Sequence, residues 1–262
     1  MPGGGRDIVV VSPPNLEKSE FARVDAALSA PHAPLNRDWL LARFAEGLQV
    51  RLLKAPNEGL VLFQPGKLAW RPIEGVGRTL VIQDLRVAPG ALAREGLARL
   101  WSAAERFANY YGFVAVVALV GSGPGLVAQD RAPGRGWMSL DTGPDDVRLV
   151  GRVLQGPQVL PFLPTDWTQR AAALGPGVVI QTTGESAGLE ARAEDTVARV
   201  TAQGQRARHD RLADPDQVRA RAVRPGAVYS VVIDGVVAGG PELTVEAILA
   251  LLRRGAPGQS PS

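Results

Sequence analysis

Apolar positions along the chain follow two periods, short runs or alternation for strands and i, i+3, i+4 spacing for helices. Ile8 to Val11 is a short apolar run ended by Ser12-Pro13-Pro14 and reads as a buried strand. Asn15 reads as the N-cap of a helix with Phe21, Val24 and Leu28 on one face, broken by Pro31 and Pro34. Asn36 opens a second helix carrying Trp39, Leu40 and Phe44, closed by Gly47. Gln49 to Lys54 and Gly59 to Gln64 are strands joined by a Pro56-Asn57 turn, and Thr79 to Val87 is a third, ended by Pro89 and Gly90. From about Leu92 to Tyr110, Leu97, Leu100, Trp101, Ala104, Phe107 and Ala108 form one apolar helix face, and Gly112 stops it. Phe113 to Val120 is the most continuous apolar run and predicts a central strand. Trp137 to Leu140 and Val147 to Val150 are further strands. This order predicts a mixed sheet with packed helices. It carries a strand-turn-helix unit at Val87 to Arg99, where an anion could meet a helix N-terminus.

The pattern then changes. Gln155 to Pro176 is rich in proline and reads as a linker, with a short helix around Trp167 to Leu174. A second unit begins at Gly177: strand Val178 to Gln181, helix Leu189 to Thr201, strand Arg206 to Arg211 and helix Asp216 to Ala222 behind Asp214-Pro215. Strand Val228 to Ile233, an Asp234-Gly235 turn, strand Val236 to Ala238 and helix Val245 to Arg254 complete it. This βαβαββα order is that of a small thioredoxin-like domain. The expected boundaries are 1–152, a linker at 153–176, a second domain at 177–254 and a disordered tail at 255–262.

Composition narrows the chemistry. No apolar run approaches the ~20 residues of a membrane span, and Met1 to Arg6 do not resemble a signal peptide. A cytoplasmic protein without a membrane partner is expected. The absence of cysteine excludes disulfides, thiol redox chemistry and a cysteine nucleophile. His32 and His209 are the only histidines and no ligand spacing surrounds them, so no metal is expected. The net charge is only +3, and the basic residues, mostly Arg, are interleaved with acids. That pattern lacks the clustered basic face of a nucleic-acid binder.

The segment Gly59-Leu-Val-Leu-Phe-Gln-Pro-Gly-Lys-Leu-Ala-Trp-Arg-Pro-Ile73 resembles a hairpin in one branch of the GNAT acetyltransferases, which carries a C-terminal YoaP-like domain. The following order also resembles that branch: strand Leu80 to Val87, loop and helix Pro89 to Tyr110, strand Phe113 to Val120, then Gly136-Trp137. The resemblance implies an α/β (α+β) chain: a GNAT mixed sheet with flanking helices, then a small thioredoxin-like domain. It implies acetyl-CoA as cofactor and an amine of a small molecule or protein as acceptor. Acetyl-CoA would lie where two strands splay, with Leu85, Arg86 and Val87 holding the pantetheine arm. Its pyrophosphate would lie on the loop Ala93, Arg94, Glu95, Gly96, Leu97 and Ala98 at a helix N-terminus.

Several positions depart from the family pattern. Ala93 replaces the family's Gln or Arg, and Glu95 puts a carboxylate where phosphates would lie. Gly96 reads equally as a close-packing glycine. The usual tyrosine acid falls near Ala132, whereas Tyr110 and Tyr111 read as packing or surface residues. Asp84, sharing a strand face with Arg86, is the candidate base; the alternative is a paired or solvated edge. In the second domain the family's Cys-Pro falls near Ser186-Ala187, and Pro225 reads as an ordinary loop proline. His32 is an acceptor-pocket candidate by location. Two functions follow: an N-acetyltransferase of unknown acceptor, or a degenerate GNAT-fold binding module.

Overall fold

The computed structural model describes residues 8–29, 34–156 and 159–254. His32 and the tail at 255–262 lie outside them. In chain order the first unit holds β1 (Ile8–Val11), α1 (Phe21–Leu28), α2 (Arg37–Ala45), β2 (Gln49–Leu53), β3 (Gly59–Pro65) and β4 (Thr79–Val87). It continues through α3 (Ala93–Tyr110), β5 (Ala115–Gly121), β6 (Val127–Ala128), β7 (Met138–Thr142) and β8 (Arg148–Val153). The strands form one 8-stranded mixed sheet in the order β1-β2-β3-β4-β5-β8-β7, with β6 against β5. β4 and β6 each run parallel to β5, and the other neighbours are antiparallel. This is the mixed sheet expected of a GNAT domain.

Local chemistry explains most boundaries. The Asn36 carboxamide accepts the Asp38 and Trp39 backbone N–H groups at 3.0 and 3.4 Å and caps α2 as expected. Asn15 does not cap α1. Its Oδ1 accepts the Ser12 N–H at 2.8 Å and its Nδ2 donates to the Val10 carbonyl at 2.9 Å. That local bonding holds a single 3-10 turn at Pro13–Asn15, and α1 begins only after Glu20, at φ 65°.

A bulge sets the faces of β4. Leu62 pairs with Asp84 and Phe63 with Ile82, so Gln83 is the extra residue. The phase change keeps Leu80, Ile82, Leu85 and Val87 in one core with Leu100, Trp101 and Ala104 of α3. Asp84 and Arg86 face the opposite side, where α1 and α2 pack.

The second unit contains β9 (Val178–Thr182), α5 (Ala187–Ala202), β10 (Ala207–Arg211), α6 (Pro215–Arg221), β11 (Tyr229–Ile233), β12 (Val236–Gly239) and α7 (Val245–Arg254). Its four-stranded sheet has the order β10-β9-β11-β12, with only β9 and β10 parallel. The Pro-rich segment before it is packed against both units. Phe162 exchanges backbone hydrogen bonds with Glu74, and Leu163 enters a core with Ala69, Ile73 and Val81. Helix α4 (Trp167–Ala172) places Ala171 against Val179, Val223 and Val232.

Candidate functional site

The site starts where β4 and β5 part. Their parallel pairing runs from Thr79–Ala115 to Ile82–Ala118. Past that point the Gln83 bulge turns β4 away, and both strands continue unpaired to one another. Beyond the splay, on the side of α1, lies a cavity of about 470 Å³, within the usual range for small-molecule sites. Asp84, Leu85 and Arg86 of β4, Gly121 at the end of β5, the loop residue Leu126 and Ala128 of β6 line it. Leu28, Ser29 and Leu35 close one side, and Glu185, Ser186, Leu189 and Val228 of the second unit close another. The pocket is therefore built between the two units.

Asp84 and Arg86 share this cavity, as strand alternation predicts. Arg86 Nε donates to Asp84 Oδ2 at 2.7 Å, and Nη2 also bonds that oxygen. Arg86 Nη1 donates to Asp25 Oδ1 at 2.8 Å and to Ser29 Oγ at 2.5 Å. Burial opposes the Arg86 charge, but attraction from Asp84, Asp25 and Glu185 outweighs it and raises its pKa above the ordinary arginine value. Burial raises the pKa of Asp25, and Arg86 and the Leu35 N–H only partly offset it. Asp84 is thus held through Oδ2 by the Arg86 guanidinium.

The predicted cofactor loop is the first turn of α3. Ala93 to Glu95 lie at the start of the helix, and Leu92, at the N-cap position, offers no side-chain cap. Leu92, Arg94, Glu95 and Ala98 are exposed, whereas Ala93 and Leu97 are partly buried against the core of β4 and α3. Gly96 is buried: a Cβ there would meet Val87 Cγ1 at 3.1 Å and Leu53 Cδ2 at 3.3 Å. Its lack of a side chain serves helix–sheet contact. No residue of this turn lines the cavity.

Backbone N–H groups at the exposed first turn of the 18-residue helix α3 suit an anion, although Glu95 opposes one. The splay itself does not suit a pantetheine arm in this conformation, because β6 fills it. Val120 and Gly121 of β5 pair with Val127 and Ala128. β8 already occupies the other edge of β5, with Val120 opposite Arg148. β6 therefore lies on the edge that β4 has left. Val127, 1% exposed, joins the core of Leu85, Val87, Trp101 and Val120.

Arg71, not singled out from sequence, ties the site together. It is 1% exposed and uses all five donors of its guanidinium. Nε donates to the Gly125 carbonyl at 2.8 Å, and Nη1 to the Trp70 carbonyl at 2.7 Å and Glu185 Oε2 at 2.8 Å. Nη2 donates to the Gln83 carbonyl at the bulge at 2.7 Å and to Glu185 Oε1 at 3.0 Å. The sequence signal was an arginine inside an apolar hairpin, Ala69-Trp70-Arg71-Pro72-Ile73. Asp25, on the buried face of α1, carried a similar signal. Glu185 carried none, because its partner is 114 residues away.

The remaining candidates divide. Ser186 accepts the Leu189 N–H at 3.4 Å, caps α5 and lines the cavity. Tyr110 and Tyr111 are exposed at the far end of α3, and Ala132 packs against the α3 core. Pro225 follows a trans peptide. Among the described residues, no group of acids and histidines could hold a metal, and no helix is long and apolar enough to cross a membrane.

No family model matches the sequence, and no curated protein matches it. Among solved structures, the chain is similar to a ribosomal-protein-alanine N-acetyltransferase from Brucella melitensis at 15% identity and TM-score 0.39, covering 56% of this chain and 99% of that one. It is also similar to an IAA acetyltransferase from Bacillus cereus ATCC 14579 at 13% identity and TM-score 0.37, covering 56% of this chain and 99% of that one.

Proposed function

We propose that this chain is an acetyl-CoA-dependent N-acetyltransferase of the GNAT class, with a YoaP-like, thioredoxin-like domain behind it. In this reading residues 1–152 form the transferase and 177–254 the second domain. The observation that carries it is the parallel β4–β5 pair that parts after Ile82 and Ala118 beside a closed-sided cavity. The family-like hairpin and the order of elements support it. Leu85, Arg86 and Val87 would hold the arm of the cofactor, and the turn Ala93 to Ala98 its pyrophosphate. The acceptor amine, on a small molecule or a protein, would enter the cavity between the units. With Asp84 engaged by Arg86, water is the simplest acceptor of the amine proton. Nucleic acid and membrane have no part in this reading, and the cytoplasm is the compartment it suits.

Two observations favour a second reading, a binding module without catalysis: β6 fills the splay and Glu95 stands in the first turn of α3. A thermal shift with acetyl-CoA separates the two. At 100 times its dissociation constant a ligand adds about 2.7 kcal/mol, a rise of roughly 5–10 °C for a domain of this size. The transferase reading expects that rise. It also expects CoA release with an amine panel, followed by a thiol reagent to which this cysteine-free chain adds no background. No shift at millimolar acetyl-CoA would support the binding module.

A further inference from the structure

Three observations single out the segment that fills the splay. First, its hold on the sheet is short. Only the pairs Val120–Val127 and Gly121–Ala128 join it to β5. Second, it hangs between two tethers with glycines beside one of them. The Gly125 carbonyl is held by Arg71 and the Arg131 carbonyl by Trp101 Nε1 at 3.2 Å. Gly123 and Gly125 take φ values of 116° and 78°, open to glycine and strained for other residues. Third, there is space beside it. The cavity of about 470 Å³ and a second of about 300 Å³ both touch Ser122, Gly123, Pro124 and Leu126. A strand with only two ladder pairs, glycine joints and voids beside it opens at the cost of those pairs and of the core contacts of Val127.

We propose that Leu126 to Asp130 form a displaceable insert that closes the splay in the free protein and is expelled by the arm of an acyl-CoA. This rests on reading the splay as the acyl-CoA site. The misfit between Val127 and that ligand then becomes a regulated state. Binding must first open the insert, so apparent affinity is lowered by the fraction of molecules that are open. Anything that weakens the insert, without touching the rest of the splay, should tighten binding.

The test uses the full chain with acetyl-CoA as probe. Hydrogen exchange of the wild type, read by mass spectrometry, should show residues 122–131 losing protection when acetyl-CoA is added, while 115–119, paired with β4 and β8, keep theirs. In calorimetric titration, Val127→Gly should bind acetyl-CoA roughly 10- to 100-fold more tightly, the weight of one buried valine side chain. If acetyl-CoA binds both proteins equally, and protection at 122–131 is unchanged or increased, the insert is not expelled; the acetyltransferase reading survives and this inference fails. If neither protein binds acetyl-CoA, the acyl-CoA reading itself fails, and the displaceable insert with it. Should Val127→Gly not fold, the exchange result on the wild type decides alone.

Discussion

At the scale of single residues, Arg71 carries the most connections. Taking a guanidinium and a carboxylate out of water costs several kcal/mol per ion, repaid only when the remaining donors and acceptors are satisfied. Arg71 meets that condition with carbonyls of Trp70, Gln83 and Gly125 and both oxygens of Glu185. Removing one partner strands the other. We expect Arg71→Met to lower stability by about 3–5 kcal/mol. Adding Glu185→Met should restore part of that loss, since the unpaired carboxylate is then gone. A double-mutant cycle in urea reads this as a coupling energy. Strictly additive losses would show that the pair contributes nothing beyond its separate contacts.

At the scale of elements, the periodic signals were legible and the irregular ones were not. β1, β4, α3 and most of the second unit fall where apolar periodicity and caps put them, because burial on one face sets those patterns. The Gln83 bulge has no composition signal. It becomes visible only as a phase slip between Ile82 and Leu85, apolar positions that would otherwise alternate. β6 is legible from neither pattern, since two residues are too few for a period and its place depends on the gap that the bulge creates. Gly96 shows the limit of motif reading. It stands where a phosphate-binding glycine would be expected, yet its bare Cα faces Val87 and Leu53. Gly96→Ala should therefore act on packing. Helix propensity favours alanine by about 1 kcal/mol, but overpacking a filled core costs about 1–3 kcal/mol. Val87 and Leu53 are 3% and 0% exposed and have little room to move. A net loss of about 1 kcal/mol is expected in thermal unfolding. Unchanged or raised stability would show that Val87 and Leu53 yield to the added methyl group.

At the scale of the whole molecule, the two sheets are joined by more than a linker. Leu212, Val218, Ala222 and Ala227 of the second unit lie in one core with Val11, Phe21, Trp39 and Trp70 of the first. The Asn36 N–H donates to the Glu185 carbonyl at 2.8 Å. Arg224 bonds Asp145 at 2.8 and 3.0 Å, and Arg219 donates to the Lys67 carbonyl at 2.9 Å. Unfolding the second unit alone would strip Leu212, Val218, Ala222 and Ala227 from that shared core and leave Arg71 without its carboxylate. The units should therefore unfold together. The distribution of tryptophan makes this testable: Trp39, Trp70, Trp101, Trp137 and Trp167 all precede residue 177. Fluorescence thus reports the first unit together with the shared core around Trp39 and Trp70, and hydrogen exchange of β9 and β11 reports the second unit. Coincident midpoints in urea are the expected outcome. An earlier loss of protection in β9 and β11, with fluorescence still native, would make the second unit an independent domain, and the cavity between the units a site that opens when it detaches.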